Sequence, residues 1–210
     1  ANTRALLAAM RGREQIDLIA DFAIPLPLYV IGDLLGVDER HNEEFRHWSE
    51  ALVYELHSLA TPERYAEGVE GHRALAAFFR QLLAERRAHP RGDVVSYLAD
   101  AERDGDVSED EIVSMCINLL VAGHLTTADL IASLAYLLLK NPSERARLER
   151  EPALWSNAVE EALRLEPPTP LLARVHGCPA QMHGRAFEQG DSINVFIAAA
   201  NRDPAAFPDP

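Results

Sequence analysis

The sequence predicts a mainly α-helical fold with a small β-sheet at its C-terminal end, an α+β architecture. Three observations carry that expectation. Apolar residues recur three and four apart through the first two thirds of the chain, the period of a helix face. One run, Glu109 to Lys140, is framed by a helix-start signal and a proline stop. After Pro167-Pro168 the pattern changes to two strand-like segments, LLARV and SINVFIA, with Gly177, Gly184 and Gly190 between them.

Taken in order, Leu6, Leu7 and Met10 share one face of a short first helix. An apolar stretch, DLIADFAIPLPLYVIGDLLG, follows; Pro25 and Pro27 punctuate it and Gly36 stops it. Phe45, Trp48, Leu52 and Leu56 make the next helix amphipathic. Thr61-Pro62 reads as an N-cap with a first-turn proline. Beyond it Tyr65, Val69, His72, Ala76, Phe79 and Leu83 form a stripe expected to face the core. HPRGD breaks that helix, Asp93 caps the short VVSYLAD, and ERDGD turns the chain.

Ser108 and Glu111 are spaced as a capping box, each satisfying an amide the other's end of the turn leaves orphaned. The helix they open is expected over about 109–140, stopped by Asn141-Pro142. At 1.5 Å per residue it is roughly 45–50 Å long. It is apolar nearly all round, so it is expected in the interior. Pro142 and Pro152 start two more helices, the second being ALWSNAVEEALRLE. The organisation is residues 1–141 as a helical part built on the long helix, and 142–210 as a helix-plus-sheet part of the same fold.

Composition narrows the function classes. The chain has 210 residues, 48% hydrophobic and 25% charged, and a formal charge of −13. A phosphate backbone or an anionic membrane selects for basic surfaces, so neither nucleic acid nor membrane is an expected partner. The one candidate span, Ile112 to Leu139, is interrupted by Asn118, His124, Asp129 and threonines. Two cysteines give no disulfide framework, and a cytoplasmic location is expected. His41, His47, His57, His72 and His89 lack metal-ligand spacing, and His176 and His183 are expected to face solvent.

The long helix holds an anomaly at its midpoint, AGHLTTADL, Ala122 to Leu130. Glycine inside a helix costs about 1 kcal/mol against alanine, and threonine is a middling helix former. Two readings fit. Gly123 could leave room for something flat beside the backbone, with Thr126 and Thr127 bonding back to carbonyls a turn earlier and loosening the ladder. Alternatively another helix crosses closely over Gly123, and the threonines satisfy themselves. Later, Glu161 and Arg164 sit three apart on one helix face, where they pair as a routine salt bridge or, if buried, as a clamp on a loop's carbonyls.

AGHLTT in a long helix, then VEEALRLEPP, then ARV, then AANRDPAAFPDP, resembles the cytochrome P450 family in this order. DLIADFAIPLPLYVIGDLLGV also looks like a segment of its bacterial, soluble members, so the resemblance spans essentially the whole chain. It implies a partial P450 fold, lacking the N-terminal segment and the loop with the haem-binding cysteine. It implies a haem b (iron protoporphyrin IX) monooxygenase that inserts one atom of O2 into a small hydrophobic or natural-product substrate. A ferredoxin and ferredoxin reductase would supply its electrons. Ala122 and Gly123 would line the oxygen groove. Thr126 matches the family's proton-delivering threonine, with Thr127 and Asp129 completing the candidate catalytic set. Glu161 and Arg164 would be the Glu-x-x-Arg clamp, and Arg174 the arginine on a haem propionate. Leu119, Leu125, Leu171 and Leu172 would line the substrate pocket.

Two departures from the family pattern matter. Leu125 stands where an acid usually precedes the threonine, so Thr126 would work with water, substrate or Asp129. The thiolate that P450 chemistry requires is expected C-terminal to residue 210. Cys116 lies in the same distal helix and Cys178 in a sheet turn, and both read as structural; the metal ligand is therefore not in this chain, and the 210 residues alone are expected to be inactive. The alternative from another class is a catalytically silent, P450-like auxiliary protein assisting a partner enzyme, which Leu125 favours.

Overall fold

Most helix boundaries follow from short local signals. The structure is a computed structural model and describes residues 2–56 and 61–208. Its helices are α1 (Asn2–Met10), α2 (Pro25–Leu35), α3 (Asn42–Leu56), α4 (Pro62–Ala88), α5 (Val94–Asp104), α6 (Glu109–Lys140), α7 (Pro142–Arg150), α8 (Trp155–Leu165) and α9 (Ile197–Ala200). Gly36 ends α2 in the left-handed conformation at φ 77°. Thr61 accepts from the Arg64 amide at the head of α4, and Asp93 from the Ser96 amide at the head of α5. The capping box forms as read: the Ser108 amide donates to Glu111 Oε2 at 2.8 Å, and the Glu111 amide to Ser108 Oγ at 3.4 Å.

The chain divides into two compact units, Ala1–Ala128 and Asp129–Pro210. The division therefore falls inside α6, not at the 141/142 boundary expected from the sequence. The reason is local: beyond Ala128, Leu134, Leu137 and Leu138 line a hollow of about 460 Å³ with Leu148 of α7 and Ala162 of α8.

In the first unit the core gathers Leu28, Ile31, Leu35, Phe45, Leu75, Phe79, Leu83, Val95, Ile112, Cys116 and Leu120. The face of α4 differs from the expected stripe. Phe79 and Leu83 are buried, but His72 is exposed and Tyr65 is half exposed; Gly68, Gly71, Leu75, Leu82 and Arg86 are buried in their place. The cause is close approach between helices. A β-carbon at Gly71 would lie 2.9 Å from the Trp48 carbonyl oxygen, so the backbones of α3 and α4 touch there. Phe45, Trp48 and Leu52 turn inward as expected, while the Leu56 side chain and His57 lie outside the described residues.

The second unit carries two separate ladders instead of one small sheet. β1 (Leu171–Val175) pairs antiparallel with β4 (Ser192–Phe196), with Arg174 opposite Ile193. β2 (Ala180–Met182) and β3 (Arg185–Phe187) form a hairpin turned at His183 and Gly184, both at positive φ. These three-residue strands are too short to announce themselves by alternation. β4 ends at Phe196, and the following Ile197 and Ala198 start α9.

Candidate functional site

α6 is continuous over 32 residues, about 48 Å at helical rise. It is long and apolar enough to cross a membrane by length and composition. One face packs into the first unit through Ile112, Val113, Cys116, Ile117, Leu120, His124 and Ala128. The opposite face is open, which corrects the expectation of a helix buried all round. Met115, Leu119, Ala122 and Thr126 recur four, three and four apart along it, and all are exposed.

The Thr126 hydroxyl donates to the Ala122 carbonyl at 2.8 Å, the back-bond to the preceding turn. Among the described residues the Thr127 hydroxyl makes no such bond. Gly123 answers the two readings in favour of a close crossing: a β-carbon there would sit 3.3 Å from Ile31 Cδ1 on α2. The space freed by the missing side chain is taken by isoleucine, so Ala122, not Gly123, is the open member of the pair. Leu125 is half-buried and adds no proton donor. Asp129 is an exposed residue whose carboxyl loses enough solvation to lift its pKa above the usual carboxylate value.

His124 is fully buried. Its Nδ1 lies 3.3 Å from Ser49 Oγ of α3, and its Nε2 has no partner among the described residues. Burial holds its pKa below the ordinary 6.5; nearby Glu50 opposes that effect and Arg46 adds to it. Cys116, 1% exposed, is inert as a nucleophile or ligand because burial, with the Asp93 charge, pushes its thiol up to about 12. Cys178 is exposed and free. No group of three or more His, Cys, Asp or Glu among the described residues could hold a metal ion.

In the second unit the Glu-x-x-Arg pair is a clamp. Arg164 donates from Nε to Glu161 Oε2 at 2.8 Å and from Nη2 to Oε1 at 2.6 Å, the two-pronged geometry only arginine supplies. Its third nitrogen, Nη1, donates to the Asn201 carbonyl at 2.9 Å. The guanidinium lies 5.0 Å over the Phe207 ring. Around it, Asn201 Nδ2 donates to the Leu163 carbonyl and Arg202 Nη2 to the Leu165 carbonyl. The end of α8 is thus tied to the NRDP turn by three hydrogen bonds, and Arg164 keeps Glu161 below the usual glutamate pKa.

Arg174 is exposed on β1 and donates to the Ala173 carbonyl, leaving the rest of its fork open. Strand residues alternate between faces, so half-buried Leu172 shares Arg174's face while Leu171 points away. His176 also differs from its expected solvent-facing place: it stacks on Phe187 at 4.7 Å and exchanges backbone hydrogen bonds with the Gly190-Asp191 turn. His183 is exposed as read. The Ser49 and Asn201 partners had no sequence signal, because both contacts join segments remote in the chain.

Known proteins give these features a family. The cytochrome P450 family model matches residues 37–210. Putative cytochrome P450 YjiB of Bacillus subtilis is 38% identical over 99% of the chain and 54% of its own length. 6-Deoxyerythronolide B hydroxylase of Saccharopolyspora erythraea is 36% identical, over 99% and 51%. The crystal structure of P450BioI with a hexadec-9Z-enoic acid ligated acyl carrier protein superposes with a TM-score of 0.92 at 33% identity, covering 98% of this chain and 53% of that one. The myxobacterial CYP267B1 structure with myristic acid gives 0.90 at 40% identity, over 99% and 51%. The chain spans about half the length of the relatives it matches.

Proposed function

The chain belongs to the cytochrome P450 family, and on that premise we propose that the whole protein is a haem-thiolate monooxygenase whose oxygen-side wall is the open face of α6. Haem, when bound, supplies dioxygen activation and oxygen insertion. Neither of this chain's cysteines would suit an iron-binding thiolate, since Cys116 is sealed in the core and Cys178 sits in a turn of the second unit.

The residues present fit such a group. The open stripe of α6 is apolar at Met115 and Leu119, narrow at Ala122 and hydroxylated at Thr126, which suits a flat macrocycle with one polar requirement. The observation that carries the reading is the Thr126–Ala122 bond. It holds the hydroxyl in one rotamer, so the oxygen's lone pairs face the open side and accept a proton donor there. Leu125 offers no proton, so Thr126 would work with water, substrate or Asp129, one turn further along α6. Thr127 flanks the pair. Arg174 would hold a propionate with the guanidinium nitrogens that have no partner among the described residues. Glu161 and Arg164 keep α8 and the NRDP turn in one piece. Leu119, exposed on the outward face of α6, would contact an apolar substrate.

The substrate class is a small hydrophobic or natural-product molecule, consistent with relatives named 6-deoxyerythronolide B hydroxylase and steroid C26-monooxygenase. A ferredoxin-type donor supplies electrons, and the protein works in the cytoplasm. The test is the difference spectrum of the reduced full-length protein with carbon monoxide. A band typical of thiolate-ligated haem is expected. Its absence from a folded, haem-reconstituted protein contradicts the proposal and favours the silent auxiliary reading that Leu125 raises.

A further inference from the structure

Ser49 on α3 and His124 on α6 are 75 residues apart and both 0% exposed, a buried polar pair inside an otherwise apolar core. Their protons can be counted. A hydroxyl has one hydrogen, and Ser49 Oγ donates it to the Arg46 carbonyl at 3.1 Å. With that hydrogen on the carbonyl, Ser49 Oγ is left to accept from His124, which selects the tautomer whose Nδ1 carries the imidazole proton. In that tautomer Nε2 is a bare lone pair, and it has no partner among the described residues. Among those residues the ring is held by one bond.

That bond sits where it controls rotation. Two residues along a helix lie about 200° apart round the axis, so His124 points away from Ala122 and Thr126 on either side of it. His124 faces inward with Leu120 and Ala128, and Ala122 and Thr126 face outward. Apolar contacts alone tolerate a few degrees of helix roll, because Leu and Ile repack. A buried imidazole with one available partner does not, because rolling strips its only hydrogen bond. The charged neighbours, Glu50 and Arg46, both belong to α3, so the ring is referenced to that helix.

We propose that His124 is a positioning residue: its Nδ1–H bond to Ser49 sets the roll of α6 and so aims Ala122 and Thr126 at the oxygen side of the site. The role rests on the reading of that face given under Proposed function.

The experiment uses the full-length holoprotein with carbon monoxide on the reduced haem, read by the infrared C–O stretch. Asparagine places an amide N–H near the Nδ1 position, whereas glutamine reaches towards Nε2. Ser49→Ala and His124→Gln are expected to shift or split the stretch, and His124→Asn to leave it at the wild-type position. Nitrogen-15 NMR of labelled histidine, which needs no haem, is expected to show a protonated Nδ1 and a bare Nε2 at pH 7. An unmoved stretch in folded Ser49→Ala and His124→Gln overturns the inference, as does an equal shift in His124→Asn, which marks a simple volume effect. An Nε2-protonated or doubly protonated ring overturns it even if every variant misfolds. A wild-type protein with no carbon monoxide band overturns the oxygenase reading, and the role assigned to this bond with it.

Discussion

Arg164 reaches 37 residues along the chain to hold the Asn201 carbonyl at 2.9 Å while its other two nitrogens grip Glu161. The geometry explains why the spacing Glu-x-x-Arg is informative only in context. A surface pair three apart is worth well under 1 kcal/mol, whereas this guanidinium is 14% exposed and satisfies a backbone oxygen as well. Replacing Arg164 by Lys keeps the charge and loses the fork. Both Arg164→Lys and Arg164→Ala are expected to destabilise the full-length protein by about 1.5–3 kcal/mol, the range for hydrogen bonds to charged groups. Urea denaturation reads it, and a loss below about 0.5 kcal/mol contradicts the clamp.

Adjacent leucines on α6 separate its two faces. Leu120 is fully buried and Leu119 is 39% exposed. Leu120→Ala is expected to cost about 2–5 kcal/mol through lost burial and a cavity. Leu119→Ala is expected to cost less than about 0.5 kcal/mol, yet to weaken binding of apolar substrate, seen in ligand titrations of the full-length protein. Equal stability losses would mean that the outward face is packed after all.

Thr126 tests proton handling apart from stability. Thr126→Val keeps the shape and removes the hydroxyl, and Thr126→Ser keeps the bond to Ala122. Because Thr126 is exposed, both are expected within about 0.5 kcal/mol of wild type. Reductant consumed per product formed is expected to rise in Thr126→Val and to stay near wild type in Thr126→Ser. If valine leaves that ratio unchanged, the hydroxyl has no part in the reaction.

Acid lability follows from two buried groups. His124 has its folded pKa lowered by burial, so above the ordinary 6.5 it is neutral folded or unfolded. Below 6.5 the unfolded chain takes up a proton that the folded chain refuses. Stability then falls by at most about 1.4 kcal/mol per pH unit until the folded value is reached. Asp93 acts lower. Burial alone would raise it, but hydrogen bonds from Arg86 and Ser96 outweigh burial and hold it below 3.8. Its contribution is complete above 3.8 and disappears as pH falls through the depressed folded value. Denaturation midpoints against pH are expected to slope downward below 6.5, less steeply in His124→Asn. An unchanged slope in that variant contradicts the histidine assignment.

Much of this was legible in the sequence where the cause is local. Thr61, Asp93 and the Ser108–Glu111 box act within four residues, and α6 runs from Glu109 to Lys140 as its signals predict. The Glu161–Arg164 pair is equally local. What was not legible depends on distant partners. Gly71 turns the face of α4 only because Trp48 comes close. Gly123 fits either an opening or a close crossing until Ile31 is placed against it. His176 reads as a solvent residue until the β2–β3 hairpin brings Phe187 beneath its ring. The buried Arg86, which joins Asp93 to the Gly36 carbonyl at 2.6 Å, gave no hint at all in a helix rich in arginine.

The central claim is that the outward face of α6, at Ala122 and Thr126, would form the oxygen-side wall of the haem site. A crystal structure of the haem-loaded full-length protein measures this directly. The account predicts the porphyrin lying across Ala122 with the Thr126 hydroxyl on its oxygen side and the thiolate on the other. A porphyrin seated elsewhere, or a layer of protein side chains covering Ala122 and Thr126, would contradict it.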